Sequence, residues 1–211
     1  VHAHASQLGG RVVSWAGFSE SCSGVREYEV SLTETGGAVL WSAHAGGNLS
    51  YVLPAVVDEV VAHGTSYSVV VSATSGAGLA GNASLPLTVD LTAPTLPMVD
   101  VSWDVSSSTG LGVDVLSQLS TATCVPSSVR TARLSWLRTA DVESGVLSFR
   151  LGRRTADAAE EWEEAGVVRS LKVHLNGNRS FDFVTAYAVR ACNGAGLCAT
   201  SPWTPGVHRV A

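Results

Sequence analysis

The chain has 211 residues, 45% of them hydrophobic and only 15% charged, with a net charge of −5. That length holds one large or two ordinary domains, and the acidic balance argues against a nucleic-acid partner, which needs a basic face. No apolar run approaches the ~20 residues of a membrane span, so direct membrane insertion is not expected; with no initiator Met and no signal peptide, the chain reads as a mature or excised piece of a longer protein.

In chain order, Val1 to Gly10 leads into a first strand in which Val13 and Trp15 alternate with Val12 and Ser14. Trp15 is its large inward anchor. Ser19 to Ser23 is a polar turn, and Tyr28-Val30-Leu32 is the next alternation. Ala38 to Ser42, with Trp41, predicts another strand, and Gly46-Gly47-Asn48 a turn. Tyr51 to Pro54 is extended. Ala55 to His63 fits either a turn or two of helix or a strand-to-strand crossover. Tyr67-Val69-Val71-Ala73 is a clean period-two run, Ser75 to Gly78 a tight turn, and Leu85-Leu87-Val89 ends the series. Asp90 to Pro97, with Pro94 and Pro97, reads as a stiff linker.

The pattern then returns. Trp15, Gly24-Val25, Tyr28 and Val30 recur as Trp136, Gly145-Val146, Phe149 and Leu151 at a constant offset of 121, which also carries Trp41 onto Trp162. Gly76-Ala77-Gly78-Leu79 recurs as Gly194 to Leu197 at an offset of 118, so the second copy loses three residues near Asn176 to Asn178. A fixed period means two copies of one module. The second opens with a longer lead, Met98 to Arg133, in which Val99, Val101 and Trp103 alternate and Ser106 to Gly112 is flexible. The first is therefore cut at its N-terminal edge or uses a shorter first strand. Ala156 to Ala165 is rich in Ala and Glu, yet Trp162 favours a strand edge there.

Ser-Trp in an early strand, Ser-Gly-Val-x-x-Tyr/Phe in the next, Gly-Thr-x-Tyr-x-Val-x-Val-x-Ala before Gly-Ala-Gly-Leu, and Val-Asp-x-Thr-Ala-Pro between the modules resemble tandem fibronectin type III and related immunoglobulin-like repeats of algal, protist and bacterial surface proteins. The resemblance covers nearly the whole chain. It implies an all-β fold of two tandem β-sandwich domains, residues 1–91 and 98–211, joined by a linker at 92–97. It also implies that Tyr67 is a corner tyrosine whose hydroxyl ties back to the backbone, a place that Thr185 takes in the second module. Trp15, Trp136, Tyr28, Phe149 and Tyr67 are the expected core anchors.

Cys192 and Cys198 flank a probable hairpin, within disulfide reach of each other. Cys22 and Cys124 have no counterparts in the other copy and could pair across the junction, or each could bond a neighbouring chain. Asn48, Asn82 and Asn178 stand in N-glycosylation sequons and use three of only five Asn residues. Sequons and paired Cys together point to the secretory pathway and an extracellular or cell-surface site.

Candidate chemistry is sparse. His2 and His4 lie two apart with no third ligand. Asp90, Asp100, Asp104, Asp141 and Glu143 lack the oxygen spacing of a calcium loop. Asp58-Glu59 and the Glu160 to Glu164 cluster, with Arg150, Arg153 and Arg154 nearby, read as solvated surface. No nucleophile elbow, phosphate loop or dinucleotide fingerprint occurs. No catalytic residue, metal or cofactor is therefore expected. The expected role is non-catalytic: spacing, adhesion, or filament and coat assembly. The expected partners are other protein modules of the same or neighbouring chains, N-linked glycans and further copies of the chain. Exposed indoles at Trp41, Trp162 or Trp203 would instead suit a carbohydrate-binding module. An accessory region of a secreted enzyme is the remaining alternative.

Overall fold

Tyr28, Val30 and Leu32 are buried while Glu29 and Ser31 between them are not, and this period of two builds most of the molecule. A computed structural model describes residues 3–104, 124–126, 131–155, 159–174, 185–204 and 208–210. Among these, the only helical piece is a 3-10 turn at Ala55–Glu59, and the fold is all-β. The chain divides into two units, Val1–Thr92 and Ala93–Ala211, with the hairpin tip 194–196 grouped with the first.

The first unit contains β1 (Ala3–Ala5), β2 (Val12–Ser14), β3 (Val25–Glu34), β4 (Val39–Gly46), β5 (Ser50–Val52), β6 (Ser66–Ser75) and β7 (Ala80–Val89). One sheet runs β1-β7-β6-β3-β4, with β1 parallel to β7 and the other pairs antiparallel; β2 and β5 form a second, two-stranded sheet. Both sheets feed one core: Tyr28, Val30, Leu32, Tyr67, Val69, Val71 and Leu87 come from the large sheet, and Val13 and Tyr51 pack on them from the small one. Each fully buried Val or Leu contributes about 1.5–3 kcal/mol. The Ala55 to His63 stretch becomes the 3-10 turn, which drops Val57 into that core. Its Asp58 carboxylate accepts the backbone N–H groups of Leu8 (2.7 Å) and Gly9 (3.0 Å), so it is a structural acceptor and not solvated surface. The Tyr67 hydroxyl accepts the N–H of Ala62 at 2.7 Å.

The second unit contains β8 (Asp100–Asp104), β9 (Cys124–Pro126), β10 (Thr131–Ser135), β11 (Val146–Thr155), β12 (Glu161–Gly166), β13 (Ser170–His174), β14 (Thr185–Asn193), β15 (Cys198–Thr200) and β16 (His208–Val210). Its sheets run β13-β10-β8 and β12-β11-β14-β15, with β9 and β16 a separate parallel pair. Of Ala156 to Ala165, residues 161–165 thus lie in a strand, with Ala159 and Glu160 irregular before it. Leu134, Trp136, Phe149, Leu151, Tyr187 and Val189 form the core, with Val99 and Val101 packed against it. The proline-containing segment is tied down: the Thr95 N–H (2.9 Å) and hydroxyl (3.1 Å) both donate to the Ala140 carbonyl, and the Ala140 N–H donates to the Thr95 hydroxyl oxygen (2.8 Å). The flexible 106–112 stretch and the deletion near 176–178 lie outside the described residues.

Trp15 departs from expectation. Trp136 is wholly buried, but Trp15 is only partly so. The reason is strand number: β10 lies between β13 and β8, whereas β2 pairs with β5 alone among the described residues.

Both Gly-Ala-Gly-Leu turns close hairpins in one way. Gly78 and Gly196 take positive φ (79° and 83°), where a Cβ would be strained. The side chains of Ser75 and Asn193 accept the N–H groups of Leu79 and Leu197. Directly beside the second turn, Cys192 and Cys198 face each other across β14 and β15 and form a disulfide. Replacing both cysteines by Ser is expected to lower the second unit's stability by about 2 kcal/mol, the loop-closure value for so short a ring. A denaturant titration should show its midpoint falling while that of the first unit stays.

Candidate functional site

The outer face of the β12-β11-β14-β15 sheet carries the densest chemistry among the described residues. Since Phe149 and Leu151 point inward, Arg150, Gly152 and Arg154 point outward on β11. On β14, Tyr187 and Val189 point inward, leaving Ala186, Ala188 and Arg190 outside. Yet Ala188 is fully buried. An outward alanine is buried only if something roofs it, and the indoles of Trp162 and Trp203 lie on this same face, their ring centroids 5.8 Å apart.

Gly152 makes room for this layer. It pairs directly with Trp162 across the strands, and a Cβ on it would lie 2.8–2.9 Å from three atoms of the indole. Two guanidinium groups then close over the rings, Arg190 at 4.9 Å from the Trp162 centroid and Arg154 at 4.7 Å from that of Trp203. Each such contact contributes about 0.5–2 kcal/mol.

Trp203 reaches the outer face through a bulge. The Ser201 N–H donates to the Val189 carbonyl and the Thr204 N–H to that of Tyr187, both at 2.8 Å. Three steps along one strand therefore match two along the other, and the extra residue rotates Trp203 outward. Hydroxyl groups repair the ladder: Ser201 Oγ accepts the Val189 N–H (3.0 Å) and Thr204 Oγ1 that of Tyr187 (2.9 Å).

The charge cluster is solvent-exposed surface, as its composition suggests, and its arginines are paired across the strands. Arg150 pairs with Glu164 (2.9 Å), Arg153 with Glu161 (2.6 Å) and Arg154 with Glu160 (3.9 Å). Exposed pairs of this kind are each worth about 0–1 kcal/mol; their larger effect is on alignment. In the first unit Leu32 opposes Trp41, whereas in the second Arg153 opposes Glu161 and Gly152 opposes Trp162. The two pairings differ by one residue. A one-residue slip turns a side chain to the opposite face, so the two tryptophans matched by sequence offset point opposite ways. Trp41 faces inward, 5.8 Å from Tyr51, and is not a platform for a sugar.

With Glu161 and Leu171 where the first unit has Trp41 and Tyr51, the second unit leaves a cavity of about 340 Å³ lined by Leu151, Arg153, Glu161, Leu171, Val173 and Tyr187. Burial pushes the Tyr187 phenol up, Arg153 pulls it down and Glu163 raises it again.

Two loop carboxylates at matching positions carry a role that the sequence reading left unassigned. Glu20 accepts the N–H groups of Cys22 and Ser23 and the Ser23 hydroxyl; these bonds, the Ser23 side chain first, lower its pKa to about 2. Asp141 accepts the Ser144 N–H (2.9 Å), the Ser144 hydroxyl and the amide of the buried Asn193 (3.1 Å). Burial alone would raise Asp141, but the bonds from Asn193, Ser144 and Gly145 outweigh it and hold the carboxyl below its ordinary range. A carboxylate three residues ahead of Ser-Gly-Val in both copies was the available signal. Because its folded pKa is depressed, Asp141 stabilises the second unit fully above the ordinary aspartate range near pH 4 and progressively less as pH falls through the folded value. Thermal unfolding from neutral to acid pH is expected to show Asp141→Asn less stable than wild type at neutrality, with a shallower acid limb.

Of the remaining candidates, Asp90 is buried and accepts the N–H and hydroxyl of Thr92. His4 lies in β1 opposite Thr88, and His2 falls outside the described residues. Cys22 is an exposed thiol that the Glu20-centred turn holds at the surface, and the side chain of Cys124 lies outside the described residues. Asn48 and Asn82 are exposed, in a loop and on β7 respectively, and Asn178 lies outside the described residues. No helix among the described residues is long and apolar enough to cross a membrane.

No protein-family model matches the chain, and no curated protein matches it. Among solved structures, it is similar to a Ca2+-stabilized adhesin with which an Antarctic bacterium binds ice (16% identity, all of this chain and 46% of that one, TM-score 0.41). It is also similar to a 1.5-MDa bacterial ice-binding adhesin (13% identity, 98% and 60% covered, TM-score 0.42). A third similar structure is murine CEACAM1b (10% identity, 99% and 96% covered, TM-score 0.43). The chain spans only about half the length of the two adhesin structures. At TM-scores below 0.5 these likenesses carry no weight for function, and the fold rests on the strand pairing described above.

Proposed function

We infer that the chain is a pair of non-catalytic immunoglobulin- or fibronectin type III-like modules from an extracellular or cell-surface glycoprotein, acting in spacing, adhesion, or filament and coat assembly. The observation that carries this reading is where the side chains are spent. In both units the large apolar residues close the two sheets on each other. Glu160, Glu161 and Glu164 are engaged by arginines, and Glu20 and Asp141 by backbone N–H groups.

The Cys192–Cys198 bridge favours an oxidising compartment, and the exposed sequons at Asn48 and Asn82 agree with it. The carbohydrate-binding alternative is less favoured, because Trp41 packs inward and Trp162 and Trp203 are covered by guanidinium groups.

A module that spaces or bears load should yield cooperatively. Pulled from its ends, the chain is expected to give two separate unfolding steps, one releasing about 300 Å and the other about 400 Å of extended chain at ~3.5 Å per residue. Gradual extension without such steps would overturn the reading. Specific retention of a glycan on an array, lost in Trp162→Ala, would favour the alternative.

A further inference from the structure

We propose that the outer edge of β2 in the first unit is a docking site for one extended polypeptide strand, antiparallel to β2, with apolar residues at every second position. The second unit supplies the template. There β8 runs antiparallel to β10, from Asp100 opposite Ser135 to Asp104 opposite Thr131. Its Val101, together with Val99 ahead of it, packs on the core, and under that cover Ala132, Leu134 and Trp136 are all completely buried.

The matching residues of the first unit are Arg11, Val13 and Trp15, and none of them is buried. The difference lies in the missing neighbour. Among the described residues β2 pairs only with β5, through bonds that include Leu53 N–H to Arg11 carbonyl and Trp15 N–H to Leu49 carbonyl. Antiparallel ladders alternate the direction of successive residues, so the N–H and carbonyl groups of Val12 and Ser14 face away from β5. They form an open edge.

Three further features agree. Val12 is 65% exposed. The indole N–H of Trp15 is buried without a hydrogen-bond partner, whereas that of Trp136 donates to the Val168 carbonyl at 3.0 Å. Leu85, on the β7 face that points toward the small sheet, stays 41% exposed. An edge of this kind is what a sheet presents to an added strand. The chemistry of the occupant is read from β8: apolar side chains inward at alternate positions, and polar ones such as Asp100 and Ser102 outward.

The test uses the full chain and a synthetic peptide of residues Met98 to Asp104. Amide exchange by NMR is expected to find the Val12 and Ser14 amides exposed in the chain alone, and protected as the peptide saturates. A peptide of the same composition, shuffled to break the alternation, should not protect them. Val12→Pro removes an N–H on the open side, where an edge strand tolerates proline, and is expected to weaken peptide binding about tenfold, the effect of roughly one hydrogen bond. Three results would each overturn the proposal: both amides already protected without peptide, no saturable protection with it, or equal protection by the shuffled peptide. The wild-type exchange data decide the matter even if Val12→Pro unfolds the first unit.

Discussion

Trp136→Ala is expected to cost the second unit about 3–5 kcal/mol, a large share of the roughly 5–15 kcal/mol that holds a domain folded. The side chain is wholly buried, packs 5.8 Å from the Phe149 ring and donates its indole N–H to Val168. Truncation leaves a cavity lined by Leu134, Phe149 and Val189, together with an unpaired carbonyl. The same change at Trp15 should cost clearly less, because that ring is partly exposed and its N–H has no partner to lose. Phenylalanine sharpens the contrast. Trp136→Phe forfeits a hydrogen bond worth about 1 kcal/mol, whereas Trp15→Phe removes an unsatisfied donor and should be near neutral. Denaturant titrations followed by near-ultraviolet circular dichroism would measure all four. Equal costs at the two positions would contradict the account of strand cover.

Gly152→Val is expected to destabilise the second unit by about 1–3 kcal/mol, the range for overpacking, despite replacing glycine with a good strand former. The added carbons must enter space held by the Trp162 ring. Displacing that ring separates it from Trp203 and Arg190 and uncovers Ala188. Because both effects pass through one contact, they should not add. In a Trp162→Ala background, Gly152→Ala should become neutral or stabilising, and a double-mutant cycle would read this coupling directly. Additive costs would mean that the indole does not rest on Gly152.

Much of the fold was legible because its signals are local. Period-two alternation marked β3, β6 and β7, the two Gly-Ala-Gly-Leu turns marked hairpins, and the Cys192–Cys198 spacing marked a cross-strand pair. What escaped depends on pairing. Matching Trp41 with Trp162 by sequence offset was sound for the chain and misleading for the surface, since strand register decides which face a residue takes. The deciding residues were visible but unread: keeping the first unit's alignment in the second would set Leu151 against Glu164 and leave Arg150 and Arg153 without acidic partners opposite. The observed slip gives both arginines a glutamate and places Trp162 over the one residue without a side chain. Trp203 hid for a similar reason, because the bulge around Pro202 re-aims it. Trp15 packs on the core as an inward anchor, but its lesser cover than Trp136 was not legible, because burial of a strand depends on both its neighbours, which no local pattern reports.

The most direct test of the two-sandwich account is the tryptophan environment in a nuclear Overhauser spectrum of the intact chain. The account predicts that the Trp41 indole contacts Tyr51 and Leu32 in the first core, while the Trp162 indole contacts the Gly152 Hα and Trp203 on an outer face. Trp162 protons contacting Leu171 instead, or helical sequential contacts through Val146–Thr155, would contradict it.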